Sequence, residues 1–328
     1  MNPLRHALGA LLLPLALIPA FAADLPPAQE HEWIIPNYTF KNGETLPELR
    51  LHYTTLGDPK GEPVLILHGT TGSARSMLKD GFADELFGTG QPLDASKYYL
   101  ILPDAIGTGK SSKPSDGLRM KFPAYDYDDM VEAQYRLITD HPEMMDIAVP
   151  MAAYPSEMAG RNWMMRRLLV DAIKSDPGWQ NGDYREQPPN FHLTYLFFTT
   201  ATNGGDQALY HTGATREKAD AWLQERLAAP FKGDANDYVY QWEASRNYNP
   251  APKLEAIHAT VLAINAADDE RNPRALGIME REMPRVKNGR EIVIPADETT
   301  RGHGTVMQAK RWKAALAETL AHTPHAAP

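Results

Sequence analysis

The stretch VLILHGTTG, residues 64–72, joins a short apolar run to a loop that contains two glycines. Consecutive apolar residues bounded by turn residues are typical of a buried strand. The same arrangement recurs at residues 98–102, which end at Pro103-Asp104, and at residues 261–265, which the acidic run Asp268-Asp269-Glu270 follows. Short buried strands that alternate with helical segments predict an α/β fold, with a mostly parallel sheet flanked by helices on both faces.

Hydrophobic periodicity outlines the other elements of this core. Further strands are predicted at residues 49–56, 147–151 and 291–294, and helices at residues 126–140 and 305–322. Asp126 is predicted to cap the first of these helices. Residues 23–48 read as an extended lead-in to the first strand.

Residues 156–250 differ from the rest of the chain, because they are rich in tryptophan, arginine, proline and polar residues and show no convincing buried strand. Helical patterns appear at residues 161–173 and 214–228, the second with Leu223 and Leu227 on its apolar side. We therefore predict a helical cap at 156–250, inserted into a core formed by residues 23–155 and 251–328.

The first 22 residues have the pattern of a secretory signal peptide. Arg5 precedes an apolar run at residues 8–18, and Ala20-Phe21-Ala22 forms a small-x-small cleavage site. An uncleaved membrane anchor is the alternative, but the run is short for a span and Pro14 interrupts it. The sequence thus predicts a periplasmic or secreted protein that has no membrane contact once residues 1–22 are removed.

Composition excludes several classes of function. The 328 residues carry a formal net charge of −9 with both signs mixed along the chain, which argues against a nucleic-acid partner. The absence of cysteine excludes a disulfide scaffold, thiolate catalysis and a zinc site built on cysteine. A homodimer is compatible with the sequence.

Three loops follow predicted strands, at the edge where open α/β sheets place their sites. Gly69 and Thr70 could aim an amide N–H at a developing oxyanion. The loop at residues 104–111 contains Gly107, Gly109 and Lys110 but lacks the spacing of a phosphate loop.

The third loop, Asp268-Asp269-Glu270, could in principle hold a metal. Successive carboxylates need not converge, however, and no histidine is near in sequence, so we expect no metal and instead a carboxylate that orients a histidine. His303 is the candidate, because it lies between Gly302 and Gly304 after the last strand. A helix-capping or surface histidine is the alternative. An acid followed by a histidine, both after the cap, is the order of a Ser…Asp…His triad.

These features together resemble the α/β-hydrolase superfamily and, within it, the homoserine O-acetyltransferase-like group. The resemblance covers about residues 30–322 and rests most specifically on residues 67–69, 104–112, 125–136 and 161–167. It implies acyl-enzyme chemistry on a small-molecule ester or acyl substrate without a cofactor. It also implies that Asp269, four residues before Pro273, is the triad acid, with Asp268 as the alternative. His303 would be the general base, and the Thr70 N–H would donate to the oxyanion.

The chain departs from that family at the nucleophile, because it contains no G-x-S-x-G sequence. In the family, the helix matching residues 126–140 leads into a strand, the nucleophile turn and another helix. Here His141-Pro142-Glu143 joins that helix almost directly to the strand at 147–151, so one central strand is predicted to be missing within a segment of roughly 25–30 residues. Ser156 is the best substitute nucleophile, although Tyr154 and Met158 stand where small residues are required.

Three functions remain open from the sequence. The chain is an impaired or inactive relative of acyl-transfer and ester-hydrolysing enzymes, a non-catalytic small-molecule-binding protein, or an active hydrolase with a non-standard nucleophile. The missing motif favours the first two. Acetyl-CoA is a cytoplasmic metabolite, so for an exported protein ester hydrolysis or transfer from another acyl donor is favoured over homoserine acetylation.

Overall fold

The computed structural model describes residues 25–138 and 145–324. The predicted signal peptide, residues 1–22, and the junction at residues 139–144 where the missing segment was placed lie outside the described residues. No helix within the described parts is long and apolar enough to cross a bilayer.

The described residues form seven strands in two sheets. The strands are β1 (Gln29–Thr39), β2 (Thr45–Leu56), β3 (Glu62–Leu65), β4 (Tyr98–Pro103), β5 (Ile147–Ala148), β6 (Thr260–Ala266) and β7 (Gly289–Ile294). Their order is β1-β2-β4-β3 in one sheet and β5-β6-β7 in the other. Pairing is parallel for β3 with β4 and throughout the second sheet, whereas β1 and β2 are antiparallel to each other and β2 to β4.

The predicted lead-in is therefore partly a strand. Side chains alternate along β1, so that Ile35 and Tyr38 enter the core while Ile34 remains exposed. Such alternation is expected for a strand that buries one face. The sheet is consequently more antiparallel at this end than the sequence predicted.

Nine helices accompany these strands in the described residues. They are α1 (Ala83–Leu86), α2 (Tyr127–Ile138), α3 (Gly160–Ser175), α4 (Phe191–Thr202), α5 (Asp206–Thr212), α6 (Arg216–Ala228), α7 (Ala235–Glu243), α8 (Ile278–Glu282) and α9 (Lys313–His322). Asp126 caps α2 as predicted, since its Oδ1 accepts the amide hydrogens of Asp128 and Asp129 at 3.0 and 3.1 Å. The five helices α3–α7 follow β5 and precede β6, within the predicted cap.

The predicted C-terminal helix at 305–322 was wrong over its first eight residues. Gly302–Met307 and Ala309–Arg311 form short 3₁₀ turns, and regular helix begins only at Lys313. Trp312 explains the break, because its ring is buried in the core and its Nε1 donates to the carbonyl of Val306 at 2.8 Å.

The strand predicted at 147–151 is regular only at Ile147–Ala148, after which Met151 forms a single parallel bridge with Ile264. Pro150 lies between them and has no amide hydrogen to donate to a ladder. Among the described residues, β3 pairs only with β4 and β5 only with β6. The missing central strand itself falls at the undescribed junction and stays a prediction.

One apolar cluster packs against both sheets. It includes Leu100 and Leu102 of β4, Leu262 and Ile264 of β6, and Trp312 before α9. A second cluster lies inside the cap and joins α3, α4 and α7. The loops that follow β3, β6 and β7 carry the candidate site.

Candidate functional site

The structure brings Asp269 and His303 together. Asp269 follows β6, and His303 lies in the 3₁₀ turn that follows β7. His303 Nδ1 is 2.9 Å from Asp269 Oδ2 and 3.1 Å from Oδ1. Because neighbouring parallel strands end at the same edge of a sheet, the two residues meet although 34 positions separate them.

The local backbone holds Asp269 as an ionised acceptor. Its Oδ1 accepts the amide hydrogens of Arg271 and Asn272 at 2.8 and 3.0 Å, and the side chain is buried. Burial alone would raise the pKa of Asp269, but the hydrogen bond and charge of His303, together with the two amides, lower it below its usual value. The carboxylate can therefore orient the imidazole across the neutral pH range.

His303 is correspondingly held neutral. Burial lowers its pKa most, the bond to Asp269 raises it, and the positive charges of Arg271 and Arg166 lower it further, so that the net shift is downward. With the Nδ1 hydrogen donated to Asp269, Nε2 carries the free lone pair, as a general base requires. The His303 side chain is 22% exposed, which leaves the ring open to a ligand.

The other two carboxylates of the acidic run point elsewhere. Asp268 Oδ2 accepts the Thr300 hydroxyl at 2.7 Å, and Glu270 accepts the amides of Gly205 and His303 at 2.7 and 3.1 Å. Geometry thus favours Asp269 over Asp268 as the partner of His303. The three carboxylates do not converge, and no group of three or more potential metal ligands occurs in the described residues.

The first loop holds Gly69 and Thr70 in a fixed turn. His68 Nε2 accepts the amide hydrogen of Ala105 at 3.1 Å, so its Nδ1 must donate to the Gly69 carbonyl, 2.8 Å away. Thr71 has a φ of +65°, a conformation that is strained for a β-branched residue. The Thr70 amide donates to no group among the described residues, as an oxyanion donor would require. The roles of Gly69 and Thr70 stay predictions.

The second loop surrounds a buried carboxylate. Asp104 accepts His52 Nδ1 at 2.8 Å and the amides of Ala74 and Lys110 at 2.7 and 2.8 Å. A side chain on Gly109 would meet the Asp104 carboxylate at 2.1 Å. The glycines therefore accommodate a buried carboxylate, and the sequence did not indicate the part played by His52.

No nucleophile is seen at the dyad. Ser156 makes no hydrogen bond to His303, and among the residues that the structure describes no hydroxyl group bonds to His303 Nε2. The role of Ser156 also stays a prediction.

Two arginines and a tryptophan beside the dyad were not foreseen. Arg166 of α3 and Arg271 lie against the same Trp242 ring, with Cζ 4.8 and 5.5 Å from its centroid. Arg271 is adjacent to the acidic run, but nothing in the sequence pairs it with Arg166, 105 positions earlier.

An open cavity of about 390 Å³ lies between the two loops and the cap. Thr71, Gly107 and Gly109 line one side, and Asp237 and Gln241 of α7 line the other. Burial raises the pKa of Asp237 to about 6, against hydrogen bonds from Ser115 that lower it. Asp269 and His303 do not line this cavity, whereas Thr71 of the first loop does.

Comparison with known proteins finds relatives in sequence and in fold. No protein-family model matches the chain. The homoserine O-acetyltransferase of Methanococcoides burtonii is 26% identical over 311 aligned positions, and the alignment covers 74% of this chain and 63% of the relative; the chain thus spans less than two thirds of that relative.

Two solved structures show the same fold. Esterase E22 superposes with a TM-score of 0.76 at 17% identity, covering 90% of this chain and 100% of that one. A homoserine O-acetyltransferase from Bacillus anthracis gives 0.71 at 19% identity, covering 92% and 99%. The chain therefore has the α/β-hydrolase fold, and its sequence is similar to those of homoserine O-acetyltransferases.

Proposed function

We propose that this protein retains the acid–base half of an acyl-transfer or esterase site but has lost the covalent half, so that acyl transfer is impaired or absent. The observation that carries the proposal is a correctly oriented Asp269–His303 pair for which the sequence offers no G-x-S-x-G nucleophile. A histidine and an acid activate a nucleophile but cannot replace one in a covalent mechanism.

The alignment with the archaeal relative supports this proposal. It runs over 311 positions but takes up only 74% of a 328-residue chain, so the relative contains residues that have no counterpart here. A segment of strand, nucleophile turn and helix is the part whose loss fits the few residues of sequence between α2 and β5.

The expected activity follows from what remains. A site without its nucleophile can still accelerate the reaction by about 10³–10⁴ over its rate in water, through substrate binding and the oxyanion hole. One oxyanion N–H normally comes from the residue after the nucleophile. Loss of one such donor costs about 10²–10³ in rate. We therefore expect turnover close to the uncatalysed rate.

The test is incubation with an activated aryl ester and with a serine-reactive fluorophosphonate. We expect no stoichiometric labelling, and ester turnover that His303→Ala changes less than about tenfold. Far-ultraviolet circular dichroism of both proteins controls for folding. Stoichiometric labelling of one serine, with turnover abolished by His303→Ala, would show an active enzyme. Labelling that Ser156→Ala removes would identify Ser156 as a non-standard nucleophile.

We also propose that the protein works outside the cytoplasm, on the strength of the apolar run and the Ala20-Phe21-Ala22 site. An ester, or an acyl donor other than acetyl-CoA, would then be the natural ligand. The intact mass of protein recovered from the periplasm or medium should correspond to a chain starting at Ala23. A mass that includes Met1 would contradict export by cleavage.

A further inference from the structure

Two arginine side chains act on His303 through space, and neither forms an ion pair in the described residues. Arg166 is 5% exposed, and its guanidinium donates to Asn162 Oδ1 at 2.9 Å and to Ser245 Oγ at 3.1 Å. Arg271 Nε donates to the carbonyl and hydroxyl oxygens of Thr202 at 3.1 and 3.2 Å. All of these acceptors are uncharged. Neither guanidinium has a carboxylate oxygen within 4.0 Å among the described residues.

This arrangement is unusual within the molecule itself. Arg285 pairs with Glu255 and Glu282, and Arg311 pairs with Asp297, although these arginines are more exposed. A buried charge without a partner costs several kcal/mol, and pairing normally offsets that cost. Burial lowers the pKa of Arg271 to about 10, so its guanidinium remains charged at neutral pH.

Trp242 adds a buried donor that contacts both arginines. Its ring contacts both guanidiniums, which gives partial compensation through cation–π attraction. Its Nε1 is buried and has no hydrogen-bond partner in the described part of the chain. Two guanidiniums without a carboxylate partner and one N–H without an acceptor thus lie on the same tryptophan within the described residues.

We propose that Arg166, Arg271 and Trp242 form a binding site for a carboxylate group of the ligand. The proposal deepens the proposed function, on which it rests for the identification of the dyad as the ligand site. A carboxylate offers two oxygens in the plane of a guanidinium and accepts a further N–H. The nearby carboxylates of Asp269 and Glu270 both act on Arg271, and they disfavour a more highly charged group such as phosphate.

The site is coupled to the protonation of His303. Four charged or titratable groups face that residue: Asp269 on its ring, Glu270 on its amide, and Arg271 and Arg166 through space. A bound carboxylate offsets the two positive charges, and the imidazolium then becomes easier to form. Binding of the anion should therefore raise the pKa of His303, whereas binding elsewhere should not.

The experiment uses the full chain with acetate as probe, at constant ionic strength, with chloride as the anion control and acetamide as the neutral control. Calorimetry should show saturable acetate binding, and the His303 ring, followed by NMR, should titrate roughly one pH unit higher when acetate is saturating. Acetamide and chloride should produce neither effect.

Variants locate the site. Arg271→Gln and Arg166→Gln should each weaken acetate binding at least about tenfold, as expected for loss of a charge-assisted hydrogen bond. Arg167→Gln is the matched control, since Arg167 follows Arg166 but is exposed and paired with Asp171. If Arg166→Gln does not fold, Arg271→Gln decides alone.

Unsaturable acetate binding, equal binding of chloride, or unchanged affinity in Arg271→Gln would each overturn the proposal. None of these readouts depends on turnover. An active enzyme that binds acetate would thus contradict only the proposed loss of function. An inactive protein that does not bind acetate would contradict only the proposed carboxylate site.

Discussion

At the scale of single residues, the site depends on a close contact between backbone and side chain that only glycine permits. Gly302 has a φ of +53°, and a side chain there would lie 2.1 Å from the Glu270 carboxylate. Glu270 in turn accepts the His303 amide, so the glycine before the histidine fixes the position of the base. The flanking glycines that singled out His303 in the sequence are thus part of its support.

Asp237 is a residue whose burial opposes ionisation of its carboxyl group. It accepts the Ser115 amide and hydroxyl at 2.8 and 2.7 Å, yet its pKa is raised to about 6. In the unfolded chain the carboxyl ionises near its ordinary value. The stability that Asp237 contributes is fully present below that value and is lost as the pH rises through the folded pKa.

Asp237→Asn should therefore stabilise the protein at pH 8 by on the order of 2 kcal/mol relative to its effect at pH 4, because the amide stays neutral. Asparagine can accept the Ser115 amide hydrogen and donate to its hydroxyl. Urea denaturation of both proteins at each pH measures the difference. Asp220→Asn, at an exposed site in α6, is the control. Equal effects of Asp237→Asn at the two pH values would contradict the raised pKa.

At the scale of elements, the sequence pattern correctly predicted the helices and strands that interactions between neighbouring residues determine. Asp126 and the apolar face behind it were enough to place α2, and the alternation of apolar runs with turns placed β4, β6 and β7 within two residues. The meeting of Asp269 with His303 followed from a general property of parallel sheets rather than from any contact visible in the sequence.

The elements that sequence missed are those that tertiary packing imposes. Helix α4 has the sequence FHLTYLFFTTAT, whose aromatic and β-branched residues favour strands. It is helical because Phe191 and Phe198 pack into the cap cluster with α3 and α7. Conversely, α6 was predicted from its apolar side, but Leu223 and Leu227 remain 39% and 43% exposed.

The two arginines of the site could not be predicted from the sequence for the same reason. Arg166 looked like part of an amphipathic helix, and Arg271 like the end of an acidic loop. Only the contact of both guanidiniums with Trp242 reveals that they share one environment. A charged residue's lack of a partner is a property of the folded chain and has no signature in spacing.

At the scale of the whole molecule, the two sheets share one core without pairing to each other in the described residues. Leu102 of β4 and Ile264 of β6 belong to the same apolar cluster, while β3 and β5 each have a strand partner on one side only. Unpaired backbone groups near a core are costly. A protein with such edges should be less stable and more prone to aggregate than a relative with a continuous sheet.

Inserting the segment that we predict to be missing tests this argument and the proposed loss of function together. Residues 139–144 would be replaced by about 25–30 residues of strand, G-x-S-x-G turn and helix from a related esterase. We expect a melting temperature higher by several degrees, since each kcal/mol is worth about 2–4 °C in a domain of this size. The inserted serine should also react stoichiometrically with fluorophosphonate.

The matched control carries the same insert with alanine in place of that serine. It should keep the thermal gain and lose the labelling, which separates the completed sheet from the completed site. Ester turnover in the serine form should fall when His303→Ala or Asp269→Asn is added, because both residues act through the new nucleophile. An insert that leaves melting unchanged and its serine unreactive would show that β3 and β5 leave no room for a strand. The direct join after α2 would then belong to a fold that is complete as it stands.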